Sequence, residues 1–379
     1  MKVQARGATS GARARAPTLA PRWSIDTGDY VASACVLEGT PLVLAGTGAG
    51  EVVAVERAAG AVAWRRQTHA LGVLSVAADP SRAHAIAVAG AGPAVHLLGP
   101  DGSARAAFES RAPMVDQLSW SPAGRYLAVG AGARIQLWEP GGTLALETVP
   151  QRSSVTAIQW RVTGAQFATC GYGGVQLWDT ERGIGMSRLQ WQGSLVSMAW
   201  SPDGRVIACG SQDCTVHFWR VHNGEDSEIR GFASKPKALA WDAKSEWLAT
   251  AGGPTISLWR FSGRGPEGTR PRVLEGHLGN VAIAAFHPSR TWLATGGSDG
   301  GVLLWLPKRT DSPVGAIFMD DPVTALCWTR DGTALLVADA GGRMALLDVD
   351  TRELTRLSKA GSGLLDTFDD RLQRGAFDD

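Results

Sequence analysis

Apolar and polar residues alternate in short segments that recur along the chain. Five of them read VDQLSW, VTAIQW, LVSMAW, VAIAAF and VTALCW. Alternation with a period of two residues indicates a strand with one face buried. The segments of this kind end at Val36, Ala78, Trp120, Trp160, Trp200, Trp241, Phe286 and Trp328. A fixed period of about 40 residues indicates one structural unit that is repeated, here eight times.

A second aromatic series follows the first at an interval of about 18 residues. It consists of Trp138, Trp178, Trp219, Trp259 and Trp305, in segments such as IQLWEP and VQLWDT. Turn signals such as SPDGR and a short apolar segment such as VIACG lie between the two series. Each unit therefore contains three predicted strands joined by hairpin turns, and a more variable fourth segment completes it.

The segment LEGHLGNVAIAAFHPSRTWLATGGSDGGVLLW at 274–305 resembles a WD repeat almost position for position. The resemblance extends over roughly residues 30–357 and implies an all-β WD-repeat β-propeller built from blades of four antiparallel strands. Eight blades are expected, with seven, the commonest number in this family, as the alternative. The expected starts of the inner strands lie near Val31, Leu71, Met114, Val155, Leu195, Lys237, Val281 and Val323.

The resemblance also implies one complete hydrogen-bond network, formed by His277, Thr295, Asp299 and Trp305. A histidine, an aspartate and a hydroxyl could suggest a catalytic triad, but the repeat pattern already gives them a structural role. Other units depart from the pattern. Repeat five keeps Asp213 and Trp219 but has Trp191 at the histidine position and Cys209 at the hydroxyl position.

The chain ends suggest three regions. Residues 1–22 are basic and lack acidic side chains, which predicts a disordered arm, and residues 23–357 are assigned to the propeller. Either WSID at 23–26 or ELTRL at 353–357 could supply the outermost strand that closes the ring. Residues 358–379 are expected to be a tail, in which Leu364, Phe368 and Leu372 have the spacing of a short helix.

Composition narrows the range of functions. The 37 Lys and Arg balance 36 Asp and Glu, so a partner that is a specific nucleic acid is not expected. The five cysteines are scattered, the first residues do not form a secretory signal, and no apolar run is long enough to span a membrane. These features predict a cytoplasmic protein with reduced thiols, and the excess of Arg over Lys suggests a bacterial source.

Candidate chemistry is sparse. Cys209, Cys214 and His217 have a spacing that superficially resembles a zinc site, but alternate residues of a strand face opposite ways. The glycine clusters GTGAG and GYGG fall in predicted hairpin turns, where they do not cradle phosphate. We therefore expect no metal, no cofactor and no catalytic residue.

The remaining hypothesis is a non-catalytic scaffold that binds one or more proteins, as a monomeric propeller within a complex. The loops before the inner strands should form a binding rim around the mouth of the ring. An enzyme, or a sensor of a small ligand or peptide, housed in the central channel is the alternative. The candidate rim residues are Tyr30, Met114, Ser154, Leu195, Lys235, Asn280, Arg111 and Trp191.

Overall fold

The fold was analysed in a computed structural model, which describes residues 18–81, 85–182, 184–263 and 265–359. Almost all regular structure in these residues is β-strand, as expected from the alternating segments. The strands of the first half are β1 Leu19–Asp26, β2 Val31–Leu37, β3 Leu42–Thr47, β4 Glu51–Glu56, β5 Val62–Gln67, β6 Val73–Ala78, β7 Ile86–Gly90, β8 Ala94–Leu98, β9 Ala104–Glu109, β10 Leu118–Trp120, β11 Leu127–Ala131, β12 Arg134–Trp138, β13 Leu144–Glu147, β14 Ala157–Trp160 and β15 Gln166–Asp179.

The second half continues in the same manner and ends in the helix α1, Thr351–Lys359. Its strands are β16 Ile184–Trp200, β17 Val206–Ser211, β18 Val216–Arg220, β19 Asp226–Ile229, β20 Ala238–Trp241, β21 Trp247–Ala251, β22 Ile256–Arg260, β23 Arg272–Leu274, β24 Val281–Phe286, β25 Leu293–Gly297, β26 Gly301–Trp305, β27 Gly315–Phe318, β28 Val323–Trp328, β29 Ala334–Asp339 and β30 Arg343–Val349.

The strands of the described residues form seven antiparallel sheets, which surround a common centre as the blades of a β-propeller. Six sheets have four strands: β2 to β5, β6 to β9, β10 to β13, β20 to β23, β24 to β27, and β28 to β30 with β1 at its edge. The seventh sheet has six strands, β14 to β19. The all-β propeller predicted from the repeats is confirmed.

The six-stranded sheet corrects the expected blade number. β15 contains two of the predicted strands and turns back at 171–173, since the Thr180 N–H donates to the Ala165 carbonyl at 3.0 Å. β16 pairs with β15 through its first part and with β17 through its last part. Counted by hydrogen-bonded sheets, the described chain has seven blades, and the expectation of eight separate four-stranded blades is wrong.

The reason for the difference lies in the segment QWQGSL at 190–195. It has no Pro, Asn or Asp to interrupt an extended chain, and the Tyr172–Ser194 pairing continues the ladder across it. The fourth and fifth sequence repeats consequently share one sheet. This sheet is folded on itself, because a buried cluster that includes Cys170, Leu189 and Trp219 lies between its two halves.

Apolar side chains fill the spaces between neighbouring sheets, because each sheet is apolar on both faces. Tryptophans at the ends of inner strands add a hydrogen bond to this packing: each indole N–H donates to a main-chain carbonyl of the preceding inner strand. The pairs are Trp120 with Ala77 (3.1 Å), Trp160 with Ser119 (2.9 Å), Trp241 with Ala199 (3.1 Å) and Trp328 with Ala285 (3.0 Å).

The first strand closes the ring. β1 pairs antiparallel with β30, so WSID at 23–26 forms part of the outermost strand of the last sheet. Trp23 joins a buried cluster with Val31 and Val43 of the first sheet and Leu336 of the last sheet. The strand begins at Leu19, so the predicted arm of residues 1–22 ended too late; Leu19 and Trp23, four residues apart, both point to the core.

The segment ELTRL at 353–357, the other candidate for closure, lies in α1 and not in a strand. Asp350 caps this helix, since its carboxylate accepts the backbone N–H groups of Arg352 and Glu353 at 3.1 and 2.9 Å. Leu354 and Leu357 are fully buried against the last two sheets. The arm at 1–17, and the tail at 360–379 with Leu364, Phe368 and Leu372, lie outside the described residues.

We predict that Trp23→Ala destabilises the propeller by about 3 to 5 kcal/mol, because it empties the buried seam between the first and last sheets. The neighbouring Arg22→Ala, which removes a solvent-exposed contact with Asp348, should cost less than about 1 kcal/mol. Urea unfolding of both variants measures the two free energies. Equal losses would show that β1 does not contribute to closure through its buried side chain.

Candidate functional site

One face of the ring carries the loops that join each outer strand to the next inner strand. We call it the upper face, and the turns between the second and third strands of each sheet lie on it too. Hydrogen bonds join the two kinds of loop: the Gly48 N–H donates to the Tyr30 carbonyl at 2.8 Å, and the Ser298 N–H donates to the Asn280 carbonyl at 2.8 Å. The loops therefore support one another as a continuous surface.

Exposed large apolar side chains are concentrated on this upper face. Of the twelve such side chains among the described residues, six lie in its loops and turns: Tyr30, Leu71, Met114, Val149, Tyr172 and Leu278. The turns of the opposite face contribute one, Val162, and the other five lie on outer strands. Water-exposed apolar groups grouped on one face are typical of a surface that binds another protein.

The structure places most of the predicted rim residues on this face, in solvent. Tyr30, Met114, Ser154, Lys235 and Asn280 are exposed. Arg111 is exposed too, and its guanidinium contacts the Glu147 carboxylate at 3.1 Å. Leu195 is fully buried, so its assignment to the rim was wrong. It lies inside β16, paired with Ser211, and its side chain fills the cluster within the folded sheet.

Trp191 is half-buried, and its ring stacks on His217 with a centroid separation of 3.5 Å. It lines a cleft of about 370 Å³ together with Arg152, Tyr172 and Arg188. The buried Trp191 Nε1 has no hydrogen-bond partner among the described residues. The cleft thus combines aromatic surface with two guanidinium groups.

Sequence reasoning missed Tyr172, Arg152 and Arg188. The turn GYGG was interpreted only through its glycines, and Gly173 and Gly174 do have positive φ angles of 90° and 117°. The large residue between Gly171 and Gly173 was the available signal, because a tight turn on the upper face exposes whatever side chain it carries. Tyr172 is 51% exposed.

The four residues of the implied network are within hydrogen-bonding distance of one another. Thr295 Oγ1 lies 2.8 Å from His277 Nε2 and accepts the Trp305 indole N–H at 2.8 Å. His277 Nδ1 lies 3.1 Å from Asp299 Oδ1, and Asp299 also accepts the Leu278 N–H at 2.7 Å. The network ties an upper-face loop to the second and third strands of its sheet.

The protonation of this network follows from burial. Burial lowers the pKa of His277 below its ordinary value, although the Asp299 carboxylate acts in the opposite direction. Burial raises the pKa of Asp299, but hydrogen bonds from the Leu278 backbone and from His277 outweigh it, so the pKa is lowered. The arrangement is a neutral imidazole beside a carboxylate, and it has no exposed hydroxyl to act as a nucleophile.

Two other sheets contain partial versions of the network. Trp178 Nε1 donates to Thr169 Oγ1 at 3.0 Å, and Thr169 in turn donates to Gln151 Oε1 at 3.2 Å. Trp259 Nε1 donates to Thr250 Oγ1 at 3.1 Å without a histidine. Gln151 stands nine residues before Trp160, as His277 stands nine before Phe286, so the spacing could have identified it.

The described residues contain neither a cluster of metal ligands nor a membrane-spanning helix. Within the parts of the chain that the structure describes, no three His, Cys, Asp or Glu side chains converge as metal ligands. All five cysteines are free thiols. Burial raises the pKa of Cys209 well above its ordinary value, with the neighbouring Cys170 acting in the same direction. No helix of the described residues is long and apolar enough to cross a membrane.

The repeated antiparallel sheets, arranged in a ring, show that the protein is a β-propeller. The family model described as "WD domain, G-beta repeat" matches residues 187–220 and 268–305. These two matched stretches, together with the ring of sheets, support a WD-repeat β-propeller.

Relatives and solved structures agree with this assignment. The LST8 subunit of the target of rapamycin complex of Mus musculus is 26% identical over 152 residues, which are 39% of this chain and 46% of that protein. The tRNA (34-2'-O)-methyltransferase regulator WDR6 of Homo sapiens is 30% identical over 161 residues, 39% of this chain and 13% of that protein. The chain thus spans less than half the length of either relative.

A crystal structure of the computationally designed Ika8 protein has the same fold. It superposes with a TM-score of 0.74 at 18% sequence identity, over 86% of this chain and 98% of the designed one. At this identity the likeness establishes the fold alone.

We predict that Thr295→Val costs about 3 kcal/mol or more, because it leaves both His277 Nε2 and Trp305 Nε1 buried without a partner. The same change at Thr250, which also is fully buried, leaves one indole N–H without its acceptor and removes a 3.2 Å hydrogen bond to the Ser257 carbonyl, and it should cost about half as much. Chemical denaturation of the two variants compares them directly. A larger loss at Thr250 would contradict the structural role of the complete network.

Stability should fall as the pH decreases from about 7.5 to about 5.5. Burial lowers the pKa of His96, His217, His277 and His287, so the unfolded chain binds more protons than the folded chain in this range. The stabilisation is present above the unfolded pKa and is lost as the pH falls below it.

His217→Leu should reduce this pH dependence, because neither ring nitrogen of His217 has a partner among the described residues. The free energy of unfolding, measured across the pH range, gives the slope for each protein. His222→Leu, which changes an exposed histidine, is the matched control and should leave the slope unchanged. A His217 variant with the wild-type slope would contradict the assignment.

Proposed function

We propose that this protein is a non-catalytic scaffold that binds one or more proteins through its upper face. The observation that carries the proposal is the distribution of exposed large apolar side chains. Six of twelve lie in the loops of the upper face, against one in the turns of the opposite face. Burial of these side chains by a partner would release water from apolar surface, which is the main driving force of protein association.

The chemistry of the face is suited to a protein partner. Tyr172 and Met114 supply aromatic and flexible apolar contacts, and Arg152 and Arg188 supply donors for carboxylates or main-chain carbonyls. These residue types are enriched where binding energy is concentrated. The cleft of about 370 Å³ beside Tyr172 is large enough to receive a side chain of the partner.

The rigidity of the loops supports the same function. The loops before the inner strands are hydrogen-bonded to turns of their own sheets, as in the pairing of Ala91 N–H with the Gly72 carbonyl at 2.9 Å. A loop that is already ordered loses little conformational entropy on binding. The side chains of the upper face are therefore presented in a fixed arrangement.

The names of relatives are consistent with a role in assemblies. LST8 is named as a subunit of a complex, and WDR6 as the regulator of a methyltransferase. We propose for this chain a monomeric propeller that works within a complex in the cytoplasm of a bacterium. The free thiols support a reducing compartment, and the net charge of +1 supports a partner other than nucleic acid.

The alternatives of a channel enzyme or a small-ligand sensor receive less support. Catalysis on a propeller needs carboxylates or imidazoles that converge where the inner strands begin. Four of the inner strands begin with a valine, and Val31, Val73, Val281 and Val323 are all buried between sheets.

We predict that the double change Leu71→Glu and Met114→Glu displaces the partner from the upper face. Each glutamate replaces an exposed apolar contact with a charge that a partner would have to desolvate. Affinity purification of the tagged chain with quantitative mass spectrometry identifies proteins lost from the variant, and a purified partner should bind it at least about tenfold more weakly.

Val162→Glu is the matched control, since it places the same charge on an exposed apolar position of the opposite face. It should retain every partner. Loss of partners through Val162→Glu, together with full retention in the double variant, would place binding on the other face and contradict the proposal.

A further inference from the structure

A second surface lies at the turn between β24 and β25, on the face opposite the upper face. It is a cleft of about 430 Å³ between the sheet β24 to β27 and the end of α1. Trp292 forms its floor, and the Trp292 indole N–H donates to Ser358 Oγ at 3.2 Å. Leu306 and Thr355 complete the wall, so the cleft has an apolar base formed by rigid elements.

The rim of this cleft is strongly basic. Arg290, Lys308, Arg309 and Lys359 surround it, and all four are exposed. Lys308 contacts the Glu246 carboxylate at 3.4 Å, whereas Arg290, Arg309 and Lys359 form no ion pair among the described residues. The remainder of the protein is nearly neutral, with a net charge of +1, so this concentration of positive charge is a local feature.

Cations of this density over an aromatic floor attract a ligand with carboxylates and apolar side chains. The guanidinium of Arg290 lies 5.9 Å from the centre of the Trp292 ring. The chemistry is that of a site for an acidic peptide.

The chain itself contains such a peptide directly beyond the cleft. Lys359, the last described residue, lines the cleft, and the sequence continues as AGSGLLDTFDDRLQRGAFDD. This segment, residues 360–379, contains five aspartates and two arginines and has a net charge of −3. Phe368, Leu364 and Leu365 stand beside the aspartates at 366, 369 and 370.

We propose that residues 364–379 of this chain bind the basic cleft and cover Trp292. The proposal rests on the complementary charge and on the point at which the chain leaves α1. Only four residues, 360–363, separate Lys359 from Leu364, which corresponds to about 13 Å of extended chain. A tether of this length gives an effective concentration on the order of millimolar, so even weak contacts would keep the cleft occupied.

The consequence is that any other ligand of the cleft competes with residues 364–379. An acidic segment of another protein could enter only by competition with residues 364–379. This inference concerns a surface separate from the upper face, and it does not depend on the scaffold function.

Competition with a synthetic peptide tests the proposal. The probe is a fluorescent peptide of residues 363–379, titrated with the full-length chain and followed by fluorescence anisotropy at low salt. The wild-type cleft is occupied by its own segment and should bind the peptide weakly. A full-length variant with Asp366→Asn, Asp369→Asn and Asp370→Asn should bind it at least about tenfold more tightly, because its own segment competes poorly.

Two further variants locate the site. Arg309→Glu with Lys359→Glu, added to the asparagine variant, should abolish peptide binding. Arg205→Glu in the same background reverses an exposed cation on a distant turn and should leave binding unchanged. Thermal unfolding of each variant verifies that the propeller is folded, and the three asparagine changes lie outside the described core.

The outcomes separate the occupants of the cleft. Tight binding by the asparagine variant, weak binding by the wild type and loss on charge reversal of the cleft support the proposal. Equal affinity of the wild type and the asparagine variant, or no binding by either, would overturn it. Dimers of the wild type that dissociate in the asparagine variant would show that the segment binds a second copy, which would also overturn intramolecular binding.

Discussion

Each sheet of this protein is apolar on both faces, and every other feature of the structure follows from the need to cover both. A ring satisfies this need because each sheet covers the next, and the ring must then be closed. Closure is provided by β1, which pairs with β30 and places Trp23 in the seam between the first and last sheets.

The indole N–H groups of tryptophans at the ends of inner strands hold neighbouring sheets together, since each donates to an acceptor on the preceding sheet. Trp200 is the exception, because its buried Nε1 has no partner among the described residues, and it lies in the folded six-stranded sheet.

In this framework of sheets, many of the side chains that are free to bind another molecule lie in the loops. The network of His277, Thr295, Asp299 and Trp305 contains groups that could serve in catalysis, but they are used to anchor a loop, and Thr295 is fully buried. Half of the exposed large apolar side chains of the described residues lie elsewhere, in the loops and turns of the upper face. The basic cleft at Trp292 depends on the framework too, because α1 can form its wall only while Leu354 and Leu357 remain packed against the last two sheets.

Much of the fold was predictable because the tryptophan spacing reports the repeat directly. The network could be assigned by resemblance, since its residues stand at fixed offsets within one repeat.

The blade count could not be predicted from the sequence, because whether 190–195 continues a strand depends on hydrogen bonds to Tyr172 across the sheet. Leu195 was assigned to the rim because it stands at the predicted start of an inner strand, whereas it lies within β16 and its side chain faces the core. The helix α1 was missed because its nine residues contain only two buried apolar positions, too few for a periodic signal.

Hydrogen–deuterium exchange of the complex with a co-purified partner shows whether the upper face binds protein. We expect the partner to slow exchange in the loops around Leu71, Met114, Tyr172 and Leu278 and to leave the turns of the opposite face around Val162 unchanged. Protection confined to the turns of the opposite face, or to the outer strands, would contradict it.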